Sequence, residues 1–160
     1  AILTLLIRLG LRRGEVAGLG LDDIDWRAGT IRVRGKGNCY EQLPLPPDVG
    51  HQLAQYLASA RPADAQERTV FVRHLAPHHA LGASRVSGIV ADSARRAGIG
   101  RVHAHRLRHT AATELLRSGA SLPEIGQLLR HRRVETTAIY AKVDQDTLRL
   151  IARAWSEGAL

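Results

Sequence analysis

Apolar residues crowd the first nine positions, interrupted by Thr4 and Arg8, a density that suits a buried helix over 1–9. Gly10 breaks the run, and Arg12 to Leu19 reads as a second, short helix. The period then changes. Ile31 and Val33 alternate with Arg32 and Arg34, as in a strand with one face buried. Gly35-Lys36-Gly37-Asn38 is turn chemistry, and Tyr40 to Leu45 supplies the return strand. Ala28-Gly29 closes an earlier hairpin, so the pattern predicts an antiparallel sheet of three strands within 24–45.

Helical periodicity returns at Pro46-Pro47-Asp48 and lasts to Ala60, with Leu53, Tyr56 and Leu57 on one face. Residues 61–68 are a polar loop, Val70-Phe71-Val72 a short strand, and 73–83 a second loop rich in His and Pro. Further helices are predicted over Ser84–Ala97, ended by Gly98, and over Arg106–Ser118, with Leu107, Ala111 and Leu115 as its stripe and Gly119 after its end. Ser121-Leu122-Pro123-Glu124 has the spacing of a capping box and opens a helix to Leu129. Val134–Ala141 and Thr147–Trp155 complete the set. The expected fold class is α+β, mainly α-helical, with one small antiparallel three-stranded sheet, in a single domain over 1–160.

Composition sharpens this picture. Hydrophobic residues make up 44% of the 160 but aromatics only 4%, so the core must be built from Leu, Ile, Val and Ala. The formal net charge of +8 favours a polyanionic partner, nucleic acid first. A single cysteine, Cys39, rules out an internal disulfide and suits a reducing compartment, the cytoplasm. No apolar run reaches the roughly 18 residues of a membrane span. The apolar start lacks the basic stretch and cleavage site of a signal peptide, and Ala1 reads as lying inside a helix of a longer protein.

Four short pieces carry candidate chemistry: Gly10-Leu11-Arg12-Arg13-Gly14-Glu15, the turn at Lys36, His105-Arg106-Leu107-Arg108-His109, and Arg130-His131 followed by Thr136-Thr137-Ala138-Ile139-Tyr140. His105 and Arg108, three apart, share a helix face. Imidazole beside guanidinium makes a poor cation site and a good oxyanion site, since both donate hydrogen bonds and Arg does so bidentately. Surrounding cations would also favour the phenolate of Tyr140, whose ordinary pKa is about 10. A phenolate attacking phosphorus conserves the phosphodiester bond energy, so such a cut can be reversed.

The four pieces, in this order and at these separations, resemble the tyrosine recombinases, the family of the phage integrases, from Gly10 to about Asp144. The resemblance implies that family's catalytic-domain fold and an active site of Arg12, Lys36, His105, Arg108, His131 and Tyr140, with Glu15 supporting the first arginine. Arg12 and Arg108 would clamp the scissile phosphate, Tyr140 would form a 3′-phosphotyrosine, and Lys36 would protonate the leaving 5′ oxygen. His105 would position the phosphate and assist proton transfer at the tyrosine, and His131 would hydrogen-bond the phosphate. Arg106, Arg130, Arg132 and Arg133 would meet DNA. No cofactor or metal is implied, and no membrane. The partner is double-stranded DNA, bound by a homotetramer of the full-length protein, the isolated chain being monomeric. The family's N-terminal core-binding domain is absent from these 160 residues.

Two departures stand out. Arg130 occupies a place where the family often has Gly, which would alter a helix end. Asn38-Cys39-Tyr40-Glu41 replaces more basic residues after Lys36. Each residue also has a plainer reading. Arg12 could simply pair with Glu15, Lys36 be exposed, Tyr140 lie in a core, and the arginines form a solvated face. His105 and His109, four apart, could ligate a metal, but the glutamate of a zinc-protease motif is missing. Two rival functions remain: a type IB topoisomerase-like enzyme, and a non-catalytic helix-turn-helix module formed by Ser121–Leu129 and Val134–Tyr140.

Overall fold

The computed structural model describes residues 1–35 and 39–130. The chain divides into two compact units, residues 1–109 and 110–160. The first unit opens with α1 (Ile2–Arg8) and α2 (Arg13–Ala17), and a 3₁₀ turn over Leu21–Asp23 follows. Three strands come next: β1 (Ile24–Asp25), β2 (Thr30–Arg34) and β3 (Tyr40–Pro44). α3 (Pro47–Ser59) and α4 (Ala83–Arg96) follow, and α5 (Ala104–Arg117) begins in the first unit and ends in the second. α6 (Leu122–Leu128) belongs to the second unit. The described residues are therefore mainly helical, with one small sheet, as the sequence pattern predicts.

The sheet is antiparallel in the order β1-β2-β3, with Ile31 opposite Leu43 and Val33 opposite Glu41. Ile31 and Val33 are buried while Arg32 and Arg34 face out, because successive side chains point to opposite faces of a strand. The β1–β2 turn is held by the Asp25 carboxylate, which accepts from the Arg27 and Ala28 amides at 3.0 and 2.8 Å. Gly29 closes it at φ +63°, a left-handed conformation that costs glycine little. At the other end the Gly35 amide donates to the Cys39 carbonyl at 2.8 Å, so the β2–β3 ladder stays paired up to the hairpin tip. Lys36 itself lies outside the described residues.

The first core is aliphatic, as the scarcity of aromatics requires. Leu5, Leu6, Leu11, Val16, Ile31, Val49, Leu53 and Val86 are wholly buried in it. Phe71, the sole phenylalanine, sits there at 1% exposure with Tyr56 beside it, ring centroids 5.0 Å apart. The second unit has its own cluster of Ala112, Ile125 and Leu129, lined by Leu115, Leu116, Ala120 and Leu122.

Three expectations need correction. Val70-Phe71-Val72 is buried but is not a strand. Its backbone bonds are divided between two places, with the Val70 amide donating to Leu19 and the Phe71 carbonyl accepting from Leu81, so no continuous ladder forms. The second helix covers only Arg13–Ala17, and Arg12 is its N-cap, in extended conformation. The buried face of α5 runs through Ala104, Arg108, Ala111 and Ala112, with Leu107 and Leu115 only partly buried beside it.

α6 opens as its capping-box spacing predicts, the Ser121 amide donating to the Glu124 carboxylate at 2.7 Å. Arg130, just past its end, adopts φ +55°, with its amide donating to the Gln127 carbonyl at 2.9 Å. The left-handed turn that ordinarily favours glycine is thus made with an arginine. The helices predicted over Val134–Ala141 and Thr147–Trp155 lie outside the described residues. No helix among the described residues is long and apolar enough to cross a membrane.

Phe71→Ala removes a large buried side chain and leaves a cavity between α3 and the loop. It should lower unfolding stability by about 3–5 kcal/mol, read as a shift of the urea midpoint.

Candidate functional site

A hollow of about 510 Å³ lies in the first unit, lined by Leu11, Arg12 and Arg13, by Ser87 of α4, and by His103, Ala104, His105 and Arg108 at the start of α5. Three residues singled out in the sequence, Arg12, His105 and Arg108, therefore meet at one place although 96 positions separate the first from the last.

Arg12 is set by its neighbours in the chain. Gly10 takes φ +56°, which turns the chain out of α1, and Arg12 caps α2. Glu15, one turn on, accepts from the Arg12 amide at 2.8 Å with one oxygen and from the Arg12 guanidinium at 2.7 Å with the other. The Glu15 side chain is only 4% exposed, whereas that of Arg12 is 44% exposed. The carboxylate thus holds the arginine from behind and leaves its outer edge toward the hollow. Both bonds to Glu15 are charge-assisted, the stronger class of hydrogen bond.

Arg108 is fixed differently. It lies on the buried face of α5 at 3% exposure, and its Nη1 donates to the Gly10 carbonyl. A guanidinium is tolerated in such a position only where its donors are satisfied. The same bond ties α5 to the turn that leads into Arg12. Arg13 reaches across to α4, its Nη1 donating to the Ser87 hydroxyl at 3.3 Å.

His105 is exposed, and its Nε2 lies 2.8 Å from Nε2 of His109, with the rings edge to face and centroids 4.3 Å apart. Burial, and then the charges of His105 and Arg108, hold the His109 pKa below the ordinary 6.5. Among the described residues no three His, Cys, Asp or Glu side chains come together to hold a metal ion. Chemically the hollow is a set of fixed hydrogen-bond donors around two guanidinium groups. That arrangement suits a tetrahedral anion.

Of the other residues singled out in the sequence, Arg106 is exposed and Arg130 is buried. Lys36, His131, Arg132, Arg133 and Tyr140 lie outside the described residues. Arg13, Ser87 and His103 line the hollow without having been singled out. Arg13 follows Arg12 directly and could have been suspected, but Ser87 carries no local signal.

The His109 shift has a pH consequence. Its pKa is lower in the folded than in the unfolded chain, so the unfolded state binds more protons as pH falls. Stability contributed by this neutral ring is present above pH 6.5 and is lost as pH drops through the folded value. The unfolding midpoint of the chain should therefore decline more steeply below pH 6.5 than that of His109→Gln, and imidazole NMR should place the His109 titration below 6.5.

The sequence profile of the Phage integrase family matches residues 1–147. Protein y4rA of Sinorhizobium fredii, whose name assigns it to the integrases and recombinases, is 54% identical over 158 residues, 97% of this chain and 38% of that protein. Tyrosine recombinase XerD of Mycobacterium tuberculosis is 38% identical over 152 residues, 93% of this chain and 49% of that protein. The chain thus spans half or less of the length of these relatives. Among solved structures, XerA recombinase superposes with TM-score 0.79 at 31% identity, covering 94% of this chain and 54% of that one. XerH site-specific recombinase, in a post-cleavage complex with its palindromic difH substrate, gives TM-score 0.81 at 25% identity, covering 97% of this chain and 45% of that one. With a profile matched over most of its length and a fold shared with solved recombinases, this chain belongs to the phage integrase family of tyrosine recombinases.

Proposed function

We propose that residues 1–160 are the catalytic domain of a site-specific DNA recombinase that cleaves and rejoins strands through a 3′-phosphotyrosine on Tyr140. The observation that carries this reading is the meeting of Arg12, His105 and Arg108 on one hollow, with Glu15 bracing Arg12 from behind. Arg12 and Arg108 hold the non-bridging oxygens of the scissile phosphate and stabilise the charge that builds in the transition state. The Tyr140 oxygen attacks phosphorus, the bond from phosphorus to the 5′ oxygen breaks, and Lys36 gives that oxygen its proton. His105 positions the phosphate and takes part in proton transfer at the tyrosine, and His131 adds a hydrogen bond to the phosphate. Attack by a 5′ hydroxyl reverses the sequence and reseals a strand. No cofactor or metal enters these steps.

Double-stranded DNA is the substrate on this reading, in keeping with the net charge of +8 and with the DNA-bound state of XerH. Arg106, Arg132 and Arg133 are assigned to the DNA surface; Arg130, expected there too, is buried at the end of α6 and is not. Four copies of the longer protein act together on two duplexes in the cytoplasm, while the 160-residue chain by itself is monomeric and binds DNA weakly.

A nicked suicide substrate, which lets the downstream fragment diffuse away after cleavage, tests the reading. The chain should become covalently attached to DNA, seen as a band of reduced mobility under denaturing conditions, and Tyr140→Phe should abolish the band. Failure of the unsubstituted chain to form any adduct, at low salt and high concentration, overturns the proposal. On the same substrate Arg12→Ala should slow adduct formation by about 10²–10³-fold, the typical cost of removing one preorganised donor to a developing oxyanion. Addition of EDTA should leave the rate unchanged.

A further inference from the structure

The His105–His109 pair has no place in the scheme above, which uses only the first ring. The two residues lie one turn apart on α5, with their Nε2 atoms at 2.8 Å. A contact of that length between two ring nitrogens holds one proton, so one ring donates and the other accepts. His109 is the less exposed of the two, and burial disfavours its charged form. Of the two ways to place one proton in this contact, the one that puts the acceptor on the less exposed ring gives the lone pair to His109 Nε2 and the shared proton to His105 Nε2.

We propose that His109 is the positioning residue for His105: it accepts the His105 Nε2 proton, fixes that ring on α5, and leaves His105 Nδ1 as the one ring nitrogen open to the hollow. The consequence for catalysis rests on the strand-transfer reading. A bare Nδ1 can take the proton that Tyr140 gives up as its oxygen bonds to phosphorus. The resulting imidazolium donates from Nδ1 to the phosphate and still donates from Nε2 to His109, so the ring need not turn during the reaction. A histidine without this partner could present either nitrogen, in either protonation state.

Nitrogen-15 imidazole NMR on the 160-residue chain tests the pairing without DNA. The unsubstituted chain should show a His105 Nε2–H resonance protected from solvent exchange. His109→Leu should remove it, and His109→Gln, whose amide oxygen can accept in place of Nε2, should keep it. If His109→Leu does not fold, His109→Asn, too short to reach the His105 ring, takes its place with the same expectation. A shared proton found on His109, or a His105 resonance indifferent to these substitutions, overturns the proposal. On the suicide substrate His109→Leu should slow adduct formation about tenfold, less than the roughly 10²–10⁴-fold typical of losing a general acid–base group outright, with His109→Gln recovering most of the loss. Adding His109→Leu to His105→Gln should cost nothing more, and full additivity of the two losses counts against the pairing. An unsubstituted chain that forms no adduct yet shows the protected resonance overturns the strand-transfer reading alone.

Discussion

The bond from Arg108 to the Gly10 carbonyl is the constraint on which the rest of the hollow depends. It joins two parts of the chain 98 positions apart, a helix and a turn, through a guanidinium at 3% exposure. Taking that charge out of water is costly, and satisfied donors are what make it tolerable. The carbonyl is available because Gly10 turns left-handed at the end of α1. The residue two positions on is Arg12, so the bond that anchors one arginine also sets where the other begins. Glu15 completes the arrangement by using one carboxylate oxygen on the Arg12 backbone and the other on its side chain. Two positive groups that would repel each other in isolation are thus held near one hollow by partners placed on their far sides.

Much of the fold was legible in periodicity alone. The alternation of Ile31 and Val33 with two arginines specified both the strand and its buried face. Pro47 in the first turn and the Ser121–Glu124 spacing marked helix starts that the structure shows. Elements held by distant backbone were harder to read. Val70 to Val72 has the composition of a strand, yet its partners are Leu19 at one end and Leu81 at the other, and no local rule assigns them. The α5 stripe was displaced for a related reason. An arginine at position 108 looks like a break in an apolar face, and only its contact with Gly10 explains its burial.

The site was legible in a different way. Spacing put His105 and Arg108 on one helix face, but nothing in composition or period brought Arg12 to them; that expectation came from family resemblance. Arg13 and Ser87 show the limit of such reasoning, since their meeting depends on how α2 packs against α4. Arg130 is instructive in the opposite sense. Its replacement of a customary glycine suggested an altered helix end, yet the chain keeps the left-handed turn there and accepts an arginine in it. A backbone conformation can persist where the residue that favours it does not, provided the surroundings over-determine it.

The donors around the hollow have one more implication. Guanidinium and imidazole groups that grip a phosphate see an oxygen tetrahedron that is the same at every step of a duplex, and contacts of that kind fix register without reading bases. If the hollow lined by Arg12, His105 and Arg108 holds the scissile phosphate as proposed, those three side chains cannot tell one nucleotide from another. On the strand-transfer reading, discrimination among target sites would come instead from surfaces that reach a groove edge or sense duplex deformability. On that reading the chemistry and the address are separable, and a lineage could change its target while leaving this hollow untouched.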